Sequence, residues 1–131
     1  MFIWKNITTF AASKIINMEY TALLEQQIIG RLRVDNPWWT EGQIPSFFGN
    51  MHPRMYLDIF YPLVTDLSIN RSVVLMGPRR VGKTVMIYHT IRRLMEEGIS
   101  AQNIIYISVE TPIYNQIPLE QLFNLCKQTL W

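Results

Sequence analysis

Eight consecutive residues, Gly77-Pro78-Arg79-Arg80-Val81-Gly82-Lys83-Thr84, fit the spacing G-x-x-x-x-G-K-[ST], the pattern of a phosphate-cradling P-loop. Each residue type has a physical reason. Gly77 and Gly82 let the backbone curl where a side chain would block it. Such a curl points successive N–H groups into one concavity, and that concavity holds an anion. A helix starting near Lys83 adds free N–H donors and the positive end of its dipole. Lys83 is placed to neutralise the β- and γ-phosphates. The Thr84 hydroxyl is placed to ligate Mg²⁺, which keeps most of its waters and the phosphate oxygens. The plain alternative is a basic surface turn between a strand and a helix.

The motif needs a strand before it and a helix after it, and the sequence suggests both. Val73-Val74-Leu75-Met76 is a continuous apolar run, as in a strand buried on both faces. Lys83 to Glu97 has a helical pattern. Ile87, Ile91 and Leu94 share one face, with Tyr88 and Met95 beside them, and Gly98 stands where a C-terminal cap belongs. Arg92–Glu96 and Arg93–Glu97 are i, i+4 pairs of opposite charge. Ile104 to Val109 reads as a second buried strand, closed by Glu110-Thr111-Pro112. If the two strands lie parallel in one sheet, the connection between them is a right-handed crossover. Pro118 to Trp131 reads as a last helix, with Leu119, Leu122, Phe123, Cys126 and Leu130 on one face. These elements define an α/β class.

Upstream, Glu19 to Val34 has helical spacing through Tyr20, Leu23, Leu24, Ile28 and Leu32, and Asp35-Asn36-Pro37 stops it. Trp38 and Trp39 follow, with Phe47 and Phe48 after another turn. Aromatics can stack nucleic-acid bases. The charged neighbours here are Asp35 and Glu41, so these rings read as anchors of a loop onto a core. Pro53 to about Phe60 suggests a short helix with Pro53 at its first position, and Pro62 kinks or restarts it. The expected organisation is residues 1–17 as an extension, either targeting or mis-annotated ahead of Met18, then 18–70 as a helical lead, then 71–131 as the P-loop region.

The 131 residues suit one ordinary domain or a piece of a larger one, and 49% hydrophobic content is globular. No apolar run approaches the roughly 20 residues that cross a bilayer, so no membrane partner is expected. Residues 1–70 carry five Lys and Arg against six Asp and Glu, whereas 71–131 carry seven against four. The basic half is the half with the loop, which suits a polyphosphate ligand. A lone cysteine, Cys126, forms no internal disulfide, which points to a reducing cytoplasm. It reads as a buried apolar side chain rather than a reactive thiol. His52 and His89 lie far apart and read as incidental.

A P-loop hydrolase also needs an acid on a second strand to organise the Mg²⁺ hydration, and a nearby Glu to polarise the attacking water. Asp35, Asp58 and Asp66 all precede the loop. Glu110 ends a strand and is the only formal candidate, but the strand is the first after the loop helix. The alternative for Glu110 is a loop carboxylate. No acidic Walker B strand is written in the chain, and no residue is assigned as catalytic. Arg79 and Arg80 sit within the loop itself, so neither reads as an arginine finger.

The run Arg71-Ser72-Val73-Val74-Leu75-Met76 through Thr84 resembles the predicted AAA-superfamily ATPases of bacteria and archaea, which carry a Gly-Pro-Arg-Arg-x-Gly-Lys-[Ser/Thr] loop and a C-terminal domain of unknown function. Asn36-Pro37-Trp38-Trp39, the Ile104-Tyr106-Ser108 strand and Glu110 followed by Pro112 are similar to that family too. The resemblance implies a three-layer AAA-type P-loop sandwich, incomplete here and preceded by the helical segment. It implies ATP as ligand and Mg²⁺ as cofactor, held by Gly77, Pro78, Arg79, Arg80, Val81, Gly82, Lys83 and Thr84, with Thr84 at the metal. It also implies that this chain corresponds to an N-terminal part, with ATP binding better supported than hydrolysis. In many P-loop ATPases the segment just ahead of the first strand lines the adenine pocket, which makes Arg54 and Tyr56 candidates there. Two alternatives stand beside this reading: a non-catalytic nucleotide-binding or interaction module, and an inert remnant. A GTPase is disfavoured because no Asn-Lys-x-Asp segment occurs. A dinucleotide-binding dehydrogenase is disfavoured because no G-x-G-x-x-G follows a strand. Two strands without their intervening neighbours would keep open edges, so the isolated chain is expected to be marginally stable.

Overall fold

A computed structural model describes the backbone of residues 2–130 and the side chains of residues 17–130. Among the described residues there are six helices, with two short 3-10 turns between the fifth and the sixth. They are α1 (Phe2–Asp35), α2 (Trp38–Glu41), α3 (Ser46–Gly49), α4 (Leu57–Thr65), α5 (Lys83–Glu96) and α6 (Leu119–Leu130). The chain separates into two compact units, residues 1–35 with 105–131, and residues 36–104.

The first unit is built on α1 and α6, which pack together. Ile28 and Leu32 stand four residues apart, hence on one helical face, and both are fully buried. Tyr20 and Leu23, expected on that face, are mostly exposed. Gln121 of α6 donates from Nε2 to the Glu25 carboxylate at 3.2 Å. Asp35 ends α1 and accepts from Arg31 at 2.9 Å and from the Tyr114 hydroxyl at 2.6 Å. Burial first, and the Asp35 bond second, push the Tyr114 hydroxyl well above the usual range. The expected α6 face is rotated. Leu122, Leu125 and Cys126 are buried, while Leu119 and Phe123 are exposed, with the Lys127 ammonium 4.6 Å from the Phe123 ring centre. The expectations for residues 1–17 rest on side chains that lie, but for Asn17, outside the described residues.

The second unit, residues 36–104, carries the loop. Its core is aromatic. Phe48 stacks on Tyr88 with ring centres 4.0 Å apart, and Trp38 meets Tyr88 edge-on at 6.1 Å. The indole N–H groups of Trp38 and Trp39 both donate to the Ile104 carbonyl, at 3.0 and 2.9 Å. Both tryptophans are buried. The α5 surface they help cover is broader than one stripe, since Val85, Met86, Tyr88, His89, Thr90 and Ile91 are all buried. His89 is turned inward to the Phe48 carbonyl at 2.7 Å, and Arg92 donates to the Gly49 carbonyl at 3.0 Å. α4 is tied to α5 by Tyr61, whose hydroxyl donates to Glu97 at 2.6 Å, and by Arg93, which pairs with Asp58 at 3.2 Å. The two i, i+4 pairs of α5 are present at 4.0 and 3.4 Å. Its end is a Schellman motif: Gly98 N–H meets the Met95 carbonyl, and Ile99 N–H meets the Leu94 carbonyl, both at 3.0 Å.

The α/β three-layer sandwich is not what the structure contains. Among the described residues there is no strand and no sheet. Residues 72–78 are irregular, with Val74 and Met76 largely exposed. Residues 104–109 are also irregular apart from a turn, and Ile104 alone is buried there. The physical reason is that a strand exists only through a partner. Its N–H and C=O groups alternate outward and need a second backbone to pair with. Among the described residues neither run pairs with a second strand, and apolar content alone does not supply one. Pro53 does not open a helix either. α4 begins four residues later and runs through Pro62.

Candidate functional site

The loop lies wholly within the second unit, between the irregular run at 72–76 and the first turn of α5. Gly82 is the residue before the helix and has φ 90°, a left-handed conformation that glycine alone takes without strain. Arg80 has φ 64°, and it is the only non-glycine residue with positive φ among the described residues. Two of three successive residues, Arg80 and Gly82, therefore take left-handed backbone, in a turn and bend over residues 79–82. Strained conformations of this kind persist where the surroundings fix them, and they gather at binding sites.

α5 then starts at Lys83. Its first backbone bond runs from Met86 N–H to the Gly82 carbonyl at 3.0 Å. That leaves the amides of Lys83, Thr84 and Val85 without an intrahelical acceptor, and no side chain among the described residues caps this end. Three free donors and the helix dipole converge at one point. The Lys83 side chain folds back over the loop. Its ammonium donates to the carbonyls of Gly77 at 2.6 Å and Pro78 at 2.5 Å. Thr84 is exposed in the first turn.

Charge is arranged unevenly in this unit. Arg71, Arg92 and Arg93 each pair with a carboxylate. Arg54, Arg79, Arg80 and Lys83 have no carboxylate partner among the described residues. Three of those four belong to the loop. Uncompensated cations beside free amides favour an anion.

Beside the loop lies a cleft of about 720 Å³. Gly77, Pro78, Val81, Gly82 and Lys83 form one wall, and Arg54, Met55, Tyr56, Ile59, Phe60 and Leu63 form another. Its volume falls in the usual range for small-molecule sites, which combine an apolar body with a few convergent polar groups. Met55 and Tyr56 are largely exposed at the mouth. The spacing of the loop was legible in the sequence. The apolar wall from α4 was not, because Ile59, Phe60 and Leu63 look like ordinary helix-face residues. Glu110 is exposed at a turn in the other unit.

No cluster of three or more His, Cys, Asp or Glu that could hold a metal occurs among the described residues. No described helix is long and apolar enough to cross a membrane.

Comparison with known proteins adds one finding. Residues 69–130 match the family model described as an AAA domain. The match supports an AAA-type domain in this segment, and it begins just before the run that leads into the loop. No curated protein and no solved structure matches the chain.

Proposed function

We propose that this chain binds ATP, with the triphosphate held by residues 77–84 and the nucleoside in the adjoining apolar cleft. The observation that carries the reading is the convergence of the Lys83 ammonium with the free amides of Lys83, Thr84 and Val85 at the start of α5. Lys83 is already turned over the loop, where it would meet the β- and γ-phosphates. Exchange of its two carbonyl contacts for phosphate oxygens trades neutral acceptors for charged ones, which are stronger. Gly77, Pro78, Arg79, Arg80, Val81 and Gly82 shape the concavity, and the Thr84 hydroxyl would face Mg²⁺. That ion, when bound, supplies positive charge across the phosphate oxygens. The AAA-domain match over residues 69–130 supports the same reading.

A second reading is a non-catalytic module that holds ATP without turnover. Melting the chain with and without Mg-ATP tests the shared claim. Ligand binding to the folded state stabilises it by about 2.7 kcal/mol at a hundredfold excess over Kd. An upward shift of the melt in the wild type but not in Lys83→Ala supports nucleotide binding through the loop. Equal melts with and without ATP contradict it. Phosphate release from ATP, measured alongside, separates an ATPase from a static binder.

A further inference from the structure

Arg54 lies 28 residues before Gly82 in the chain and against it in space. A methyl group built on Gly82 would run into the Arg54 guanidinium, 2.7 Å from Cζ and 2.8 Å from Nη2, and closer still to Nε. The side chain thus lies across the second loop glycine, at the position a Cβ would fill. A turn sets it there. Leu57 N–H bonds to the Arg54 carbonyl at 2.9 Å, and Leu57 itself is buried as the first residue of α4. Arg54 forms no ion pair among the described residues, and it lines the same cleft as Lys83.

We infer that Arg54 is a second phosphate-binding cation of this site, reaching the polyphosphate from outside the loop. Gly82 is the residue before the free amides of Lys83, Thr84 and Val85, and one helical residue advances only about 1.5 Å. A planar guanidinium lying on Gly82 is therefore within reach of an anion held by those amides. An exposed arginine with no carboxylate partner and a fork of donors suits a phosphate better than an apolar base. The inference rests on the nucleotide reading above and adds a residue to it. It also assigns a use to the missing side chain at position 82, since any Cβ there would displace the guanidinium.

The test uses inorganic tripolyphosphate and ATP as parallel probes, titrated calorimetrically into the wild type, Arg54→Ala, Arg54→Lys and Lys83→Ala. Loss of one charge-assisted contact is expected to weaken both probes by about tenfold in Arg54→Ala, with partial recovery in Arg54→Lys. The melting temperature of the free protein should not change, because the side chain is exposed. Tripolyphosphate affinity within about twofold of wild type in Arg54→Ala overturns the inference. So does a loss for ATP alone, which would place Arg54 on the nucleoside. A lowered melting temperature without recovery in Arg54→Lys also overturns it, as a structural effect. If the wild type binds neither probe, or Lys83→Ala binds both as wild type does, the nucleotide reading itself fails and this inference goes with it.

Discussion

The Lys83 ammonium donates to the carbonyl of Gly77 at 2.6 Å, so the last basic residue of the loop is bonded to its first glycine. The contact closes the segment on itself. It keeps the Lys83 ammonium over the loop, beside the first turn of α5, whose leading amides have no intrahelical acceptor. Among the described residues there is no β-sheet behind the loop. Its local features are two left-handed residues, Arg80 and Gly82, and the start of α5.

Gly82 and Gly98 share nearly the same backbone angle, φ 90° and 94°, but differ in surroundings. A methyl group placed on Gly98 would meet nothing within 4 Å, whereas one on Gly82 would meet Arg54. Gly98→Ala should cost only the left-handed strain, about 1–2 kcal/mol. Gly82→Ala should cost a similar amount, because the Arg54 guanidinium it would displace is the exposed end of a flexible side chain, and the cost should be unchanged in an Arg54→Ala background. Urea midpoints of the four variants measure this.

Trp38 and Trp39 share one acceptor, the Ile104 carbonyl. Either indole alone keeps that buried oxygen bonded. Trp38→Phe and Trp39→Phe should each lose about 1 kcal/mol of hydrogen bonding beyond the packing change. The double variant should cost more than the sum of the singles, by about 1 kcal/mol, because the oxygen then has no partner. Additive losses in a denaturation series would contradict a shared role.

Tyr61 ties α4 to α5 through Glu97, and burial, then that hydrogen bond, push its hydroxyl from 10.0 up to about 12. The protonated hydroxyl is the form the fold favours. Its contribution is therefore fully present below pH 10 and is lost as pH rises toward 12. Stability measured across that window should fall in the wild type, and the fall should be shallower in Tyr61→Phe. An identical pH profile for both would remove this role.

Cys126 is fully buried, and burial pushes its thiol above its ordinary value. Thiolate is the reactive form, so alkylation at pH 8 should be slow in the folded chain and fast in urea. The ratio of the two rates reports opening of the first unit. Rapid labelling of the native chain would contradict its burial.

What could be read from sequence followed the range of the interaction. The Gly98 cap, the two α5 ion pairs and the start of α5 at Lys83 depend on residues within a turn or two, and the structure has all of them. The tryptophan anchors followed from aromatic size and acidic neighbours. The sheet was misread because Val73 to Met76 and Ile104 to Val109 have strand composition, while a strand is a property of two segments at once. The α6 face was misplaced because Phe123 and Leu125 lie two residues apart, so helical periodicity ranks them on different faces. Packing chose Leu125 and left Phe123 under the Lys127 ammonium. Arg54 was a candidate beside Tyr56 for lining an adenine pocket, not for lying on the loop. Its contact with Gly82 joins residues 28 positions apart, which no local pattern encodes.

The most direct test of nucleotide binding at this loop is calorimetric titration of Mg-ATP into the wild-type chain and into Lys83→Ala. Nucleotide binding through Lys83 gives saturable one-site binding by the wild type and at least a tenfold weaker, or undetectable, signal from the variant. Binding of equal strength in both proteins, or none in the folded wild type, would contradict it.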